Sequence, residues 1–99
     1  MYKMIALFKK PEDPDRFDNY YFHFHIPLTK KIPGLKDMKI TKFKEGSPYY
    51  LMCEMIYESK EAFKEASKTP ESKESGKDIM AFAGDLVTFL FGEDVGDGK

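Results

Sequence analysis

Bulky apolar residues fill the stretch Tyr2-Lys3-Met4-Ile5-Ala6-Leu7-Phe8 and predict a strand over 2–9. The breaker cluster Pro11-Glu12-Asp13-Pro14 ends it. Phe17, Tyr21, Phe24, Leu28 and Ile32 then recur at three- and four-residue steps, one stripe of a helix over about 16–32 that Asp13 or Asp15 can cap. Pro27 falls inside it, removes a backbone donor and predicts a kink. Pro33-Gly34 stops the helix. A second strand over 35–44 alternates Met38 and Ile40 with Lys39 and Thr41. Glu45-Gly46-Ser47-Pro48 turns the chain into a third strand over 49–58, which makes an antiparallel hairpin. Ser59 caps a short helix bearing Ala62, Phe63 and Ala66, and Thr69-Pro70 starts another, with Ile79, Phe82 and Ala83 inward and Gly84 closing it. Leu86 to Phe91 is the last strand.

The order is βαββαβ, which predicts an α+β, ferredoxin-like domain with a four-stranded antiparallel sheet and helices on one face. One domain over 1–92 accounts for the pattern, leaving 93–99 as a flexible polar tail. Strands with one wet face should alternate apolar and polar residues. Three of these do not: Ile5 and Leu7 oppose Met4, Ala6 and Phe8; Met52 and Ile56 oppose Leu51, Cys53 and Met55; and Leu90 opposes Phe89 and Phe91. An open sheet would then expose several hundred Å² of contiguous apolar surface, more than monomers tolerate, so a homodimer is expected.

Composition narrows the partners. Sixteen basic and seventeen acidic residues give a net charge of −1, without the field that draws in nucleic acid. A hydrophobic fraction of 41% and nine Phe with six Tyr supply a core, yet no segment is long enough to span a bilayer. The single Cys53 excludes an intrachain disulfide and suits a reducing compartment. The apolar start is cut by Lys9-Lys10-Pro11 without a cleavage-site pattern, so it reads as a strand rather than a signal peptide. A cytoplasmic location is the expectation.

His25-Ile26-Pro27-Leu28 followed by Lys31-Ile32-Pro33-Gly34-Leu35, with Phe17 and the pair Tyr20-Tyr21 upstream, resembles the helix-to-strand segment of EthD-like proteins. These are named for ethyl tert-butyl ether degradation and sit within the dimeric α/β-barrel superfamily. Asp78-Ile79-Met80-Ala81-Phe82 is similar to the family's Asp-x-x-Asn-Phe run, with Ala81 in place of the Asn. The likeness covers the chain to about Phe91. It implies two ferredoxin-like protomers whose sheets meet as a barrel, and a role in the breakdown of organic compounds. Relatives in the superfamily include isomerases, polyketide cyclases, monooxygenases and haem enzymes, so fold alone decides little about chemistry.

Among single residues, His25 lies roughly 80° from Phe17 at 100° per residue and flanks the buried stripe. An imidazole there can act as a base or bind a ligand; the plain alternative is a boundary histidine bonded to backbone or to Asp78. Asp78 is one position before Ile79 and could orient His25 or take its proton, although an exposed helix carboxylate is the ordinary placement. Glu54 shares a strand face with Tyr50, Met52 and Ile56, so it must be paired, hydrated or protonated, with Lys42 as a candidate partner. Tyr21, Phe24, Tyr50 and Glu54 are the candidates for a ligand pocket between the first helix and the sheet, though aromatics at such spacings are ordinarily core. Phe22 and Ile26 lie opposite the stripe, as an exposed patch or a contact with the partner subunit. His23 falls among solvated positions, and two His two residues apart point to different helix faces, so no metal is expected. Cys53 has apolar neighbours and reads as a buried, inert thiol.

Three functions fit. The first is an enzyme or accessory component acting on a small apolar or aromatic molecule, with His25 and Asp78 catalytic and no cofactor. The second is a non-catalytic small-ligand binding protein or stress-related dimeric carrier using the same pocket. The third is a haem-binding or cyclase- or isomerase-type enzyme of the superfamily.

Overall fold

A computed structural model describes residues 1–96. Four strands form, β1 (Tyr2–Phe8), β2 (Asp37–Lys42), β3 (Leu51–Tyr57) and β4 (Val87–Glu93). The helices are α1 (Pro14–Tyr20), α2 (Ile26–Thr29), α3 (Lys60–Ser67) and α4 (Pro70–Ala83), with a π-helical turn at Tyr21–His25 joining α1 to α2. Sheet order is β2-β3-β1-β4, with every neighbouring pair antiparallel. This is the ferredoxin-like α+β arrangement. β4 runs two residues past its expected end, and the remainder of the expected tail reaches 97–99, outside the described residues.

Three helices, α1, α3 and α4, start where a side chain satisfies an otherwise orphaned backbone donor. Asp13 accepts from the Arg16 amide at 3.1 Å, Ser59 from Ala62 at 3.0 Å and Thr69 from Ser72 at 3.2 Å. Gly34 turns the chain toward β2 at φ +89°, a conformation that a side chain resists.

The register assigns the two sheet faces. Ala6 lies opposite Cys53 and Phe89, and this row faces the helices; Ile5 lies opposite Glu54 and Leu90, and this row faces away. The core fills the helix side: Phe8, Leu51 and Tyr57 are at most 1% exposed, with Phe17, Tyr21 and Ile79 packed above them. On the other face Ile5, Leu7 and Met52 are half-covered and Leu90 is exposed.

The first helix departs from the expected wheel. The Ile26 amide donates to the carbonyl of Tyr21, five residues back. Pro27 explains the place: its ring would crowd the carbonyl four residues earlier, and a widened turn relieves that clash. The helix loses about one residue of register there. The buried stripe continues through His25, Ile26, Thr29 and Ile32, while Phe24 is 60% exposed. The expectation that Ile26 lies opposite the stripe is thereby corrected.

Candidate functional site

The displaced register carries His25 inward, where it is 6% exposed. Its ring stacks on Tyr21 with centroids 5.5 Å apart, and Tyr21 stacks on Phe17 at 5.4 Å. Asp78, from α4, meets it: His25 Nδ1 donates to Asp78 Oδ2 at 2.8 Å. Tyr20 donates its hydroxyl to the other carboxylate oxygen at 2.5 Å. With the carboxylate as acceptor, Nδ1 carries the imidazole hydrogen and Nε2 keeps a lone pair. Burial pushes the His25 pKa below that of a free imidazole, against the opposing pull of Asp78, so the neutral ring prevails near pH 7.

Beyond Nε2 lies a pair of buried hydroxyls. Thr29 Oγ1 is 3.3 Å from Nε2, 3.0 Å from the carbonyl of His25 and 2.7 Å from Ser75 Oγ. These groups border a cavity of about 210 Å³ enclosed by the π turn, α2, α4 and the sheet. Its floor is Met4, Ala6, Phe8, Cys53, Met55 and Phe89, and its walls include Tyr21, Ile26, Ile32 and Ile79. Gly76 and Met80 of α4 are exposed and stand at its rim, so the cavity opens on that side. Burial raises the Cys53 thiol to about 11, which makes it a poor nucleophile near neutral pH.

The predicted site residues thus divide. His25, Asp78 and Tyr21 come together at one end of the cavity. Phe24 stacks on Tyr20 outside it. Tyr50 donates to Asp18 at 2.7 Å beside Lys42, in a separate hollow. Glu54 lies across the sheet on the helix-free face, where Lys3 is its partner at 3.2 Å. Lys42, its expected partner, is opposite Leu51 and ion-paired with Asp18 instead. Thr29 and Ser75 escaped the sequence reading of the site. Thr29 stands four residues after His25 and Ser75 three before Asp78, helical spacings that could have pointed to both. His23 is exposed and hydrogen-bonded to Asn19 at 2.9 Å. Among the described residues no group of three His, Cys, Asp or Glu could hold a metal, and no helix is long and apolar enough to cross a membrane.

The model of the EthD domain matches residues 9–85. An EthD family protein of Bacillus halodurans C-125 is 50% identical, with a TM-score of 0.92 over 96% of this chain and 99% of that one. An uncharacterised 11.0 kDa protein from the thcB–thcC intergenic region of Rhodococcus erythropolis is 33% identical over 95 residues, 92% of each chain. A dimeric protein of unknown function with a ferredoxin-like fold, from Bacteroides fragilis NCTC 9343, is 18% identical with a TM-score of 0.63 over 94% and 95% of the two chains. The last is a likeness of fold. The chain belongs to the EthD family.

Proposed function

We propose that this EthD-family chain acts on a small apolar or aromatic molecule in the oxidative breakdown of organic compounds, with His25 as general base. The observation that carries this reading is the Asp78–His25 pair with Nε2 at the wall of an apolar cavity. Asp78 fixes the tautomer and is placed to stabilise the imidazolium once Nε2 has taken a proton. Tyr20 holds the carboxylate from its other oxygen, so the acid is anchored before any ligand arrives. Enclosure by Phe8, Tyr21 and Phe89 keeps water from competing for Nε2. A haem fits these residues poorly: a tetrapyrrole exceeds a cavity of about 210 Å³. The half-apolar outer face of the sheet, together with the dimeric fold relative, supports a second copy as the partner.

Turnover of a panel of small phenols and enols by wild type and His25→Gln tests the base. Glutamine can still donate to Asp78, so the fold should survive while the rate falls roughly 10²–10⁴-fold. An unchanged rate in His25→Gln would sink the catalytic role. Ligands that bind wild type and emerge unaltered would favour carriage, the use that an almost wholly apolar lining also suits.

A further inference from the structure

We infer that the cavity selects an uncharged molecule of about one substituted ring that brings its own hydrogen-bond donor, a phenol or enol, and turns away carboxylates and phosphates. The inference rests on the reading of the His25 cavity as the functional site and names its ligand. Its basis is an account of hydrogens. Asp78 consumes the Nδ1 hydrogen, leaving only a lone pair at Nε2. Thr29 has one hydroxyl hydrogen and two acceptors in reach, its helical carbonyl partner at 3.0 Å and Nε2 at 3.3 Å. The shorter contact is to the carbonyl, the usual back-bond of a helical threonine. Thr29 then accepts from Ser75 at 2.7 Å, which consumes the serine hydrogen as well. What these side chains still offer an incoming molecule is acceptors: Nε2 and the lone pairs of Ser75.

An anion placed there meets those lone pairs and, as its one side-chain hydroxyl donor, Ser72, with no cation, since no Lys or Arg lines the cavity. Stripping a carboxylate of water for a single hydroxyl donor and no counter-charge is strongly unfavourable. A neutral O–H has the complementary polarity. Its transfer is balanced: the O–H bond breaks, an N–H bond forms at Nε2, and the resulting phenolate or enolate is paired with an imidazolium backed by Asp78. Size follows from volume. A cavity of about 150 Å³ holds benzene, so about 210 Å³ accommodates a ring with small substituents. His25, Thr29 and Ser75 are linked to one another and the floor from the sheet is apolar, which suits a single polar head on an apolar body.

Three probes of similar size separate the terms: 4-methylphenol, toluene and benzoate, titrated at pH 7.5 by calorimetry and amide chemical shifts. The expected order is 4-methylphenol about tenfold tighter than toluene, from one hydrogen bond to Nε2, with no measurable benzoate binding. In His25→Leu the advantage of 4-methylphenol over toluene should vanish while toluene still binds; a melting curve verifies that this variant folds. Benzoate binding as tightly as 4-methylphenol, equal binding of 4-methylphenol and toluene to wild type, or binding of none of the three overturns the inference. Turnover in His25→Gln is a separate readout, so failure of the ligand class and failure of the base are distinguishable.

Discussion

Burial and the Asp78 carboxylate act on His25 in opposite senses, and burial is the larger, so the folded protein holds this proton less tightly than the unfolded chain does. The sign of the pH effect follows by linkage. An unfolded histidine titrates near 6.5, and a folded pKa below that means the unfolded state binds more protons as the medium is acidified. His25's neutral placement is therefore without penalty above about pH 6.5 and costs stability progressively as pH falls from there through the folded pKa. Urea unfolding of wild type and His25→Gln between pH 7.5 and 5 should give a steeper acid-side decline for wild type. Parallel curves would remove His25 as the source. At this scale the sequence supplied the residue types but not all the partners. Asp78 was legible because it sits beside an apolar helix position. Lys3 as the partner of Glu54 was not, because it requires knowing that β1 lies beside β3, and that Lys42 has the parity of Leu51 and so the wrong face.

Strands were readable in position and in alternation, since a period of two survives any error in where a strand begins, although which face of β2 meets Glu54 was not. The first helix was readable only as far as Tyr21. Wheel arithmetic assumes one constant turn, and the π turn ahead of Pro27 breaks that assumption, so His25 and Ile26 enter the core while Phe24 leaves it. Pro27 was the visible hint, and a widened turn ahead of it is what the chain forms. α4 holds a feature of similar kind. Gly76 lies mid-helix, where glycine costs roughly 1 kcal/mol against alanine, and a Cβ there would meet nothing within 4 Å. No close packing calls for a glycine. Its place at the cavity rim supplies a reason, because a bare backbone widens the entrance. Gly76→Ala should raise stability by about 0.5–1 kcal/mol, worth several degrees in Tm for a chain this size, and should weaken or slow ligand entry. A melting scan combined with stopped-flow binding checks both halves. Stabilisation with unaltered binding would leave the rim glycine without a role in access.

Whole-molecule behaviour turns on the helix-free face. Its rows run Lys39, Glu54, Ile5, Leu90 and Thr41, Met52, Leu7, Thr88, with the Lys3–Glu54 pair set among them. A lone Glu54 carboxylate would oppose covering this face, because desolvating an unpaired charge is costly; pairing with Lys3 at 3.2 Å reduces that obstacle. Two copies joined face to face should bury roughly 2,000 Å² or more in total, the range of obligate dimers. Light scattering across a gel-filtration peak is then expected to give twice the chain's 11.5 kDa, with a Tm that rises with protein concentration. Register makes the mutational test specific. Leu90 is 46% exposed in the single chain and lies on the outer face, whereas its neighbour Phe89 lines the cavity. A lysine at position 90 meets water in a monomer but its counterpart's apolar sheet in a dimer, so Leu90→Lys should split the assembly and abolish the concentration dependence of Tm. The same change at Phe89 drives a charge into the core and should destabilise the chain at every concentration. Wild type that elutes and scatters as a stable 11.5 kDa particle at micromolar concentration would rule the dimer out, and the apolar outer face would then need a different partner.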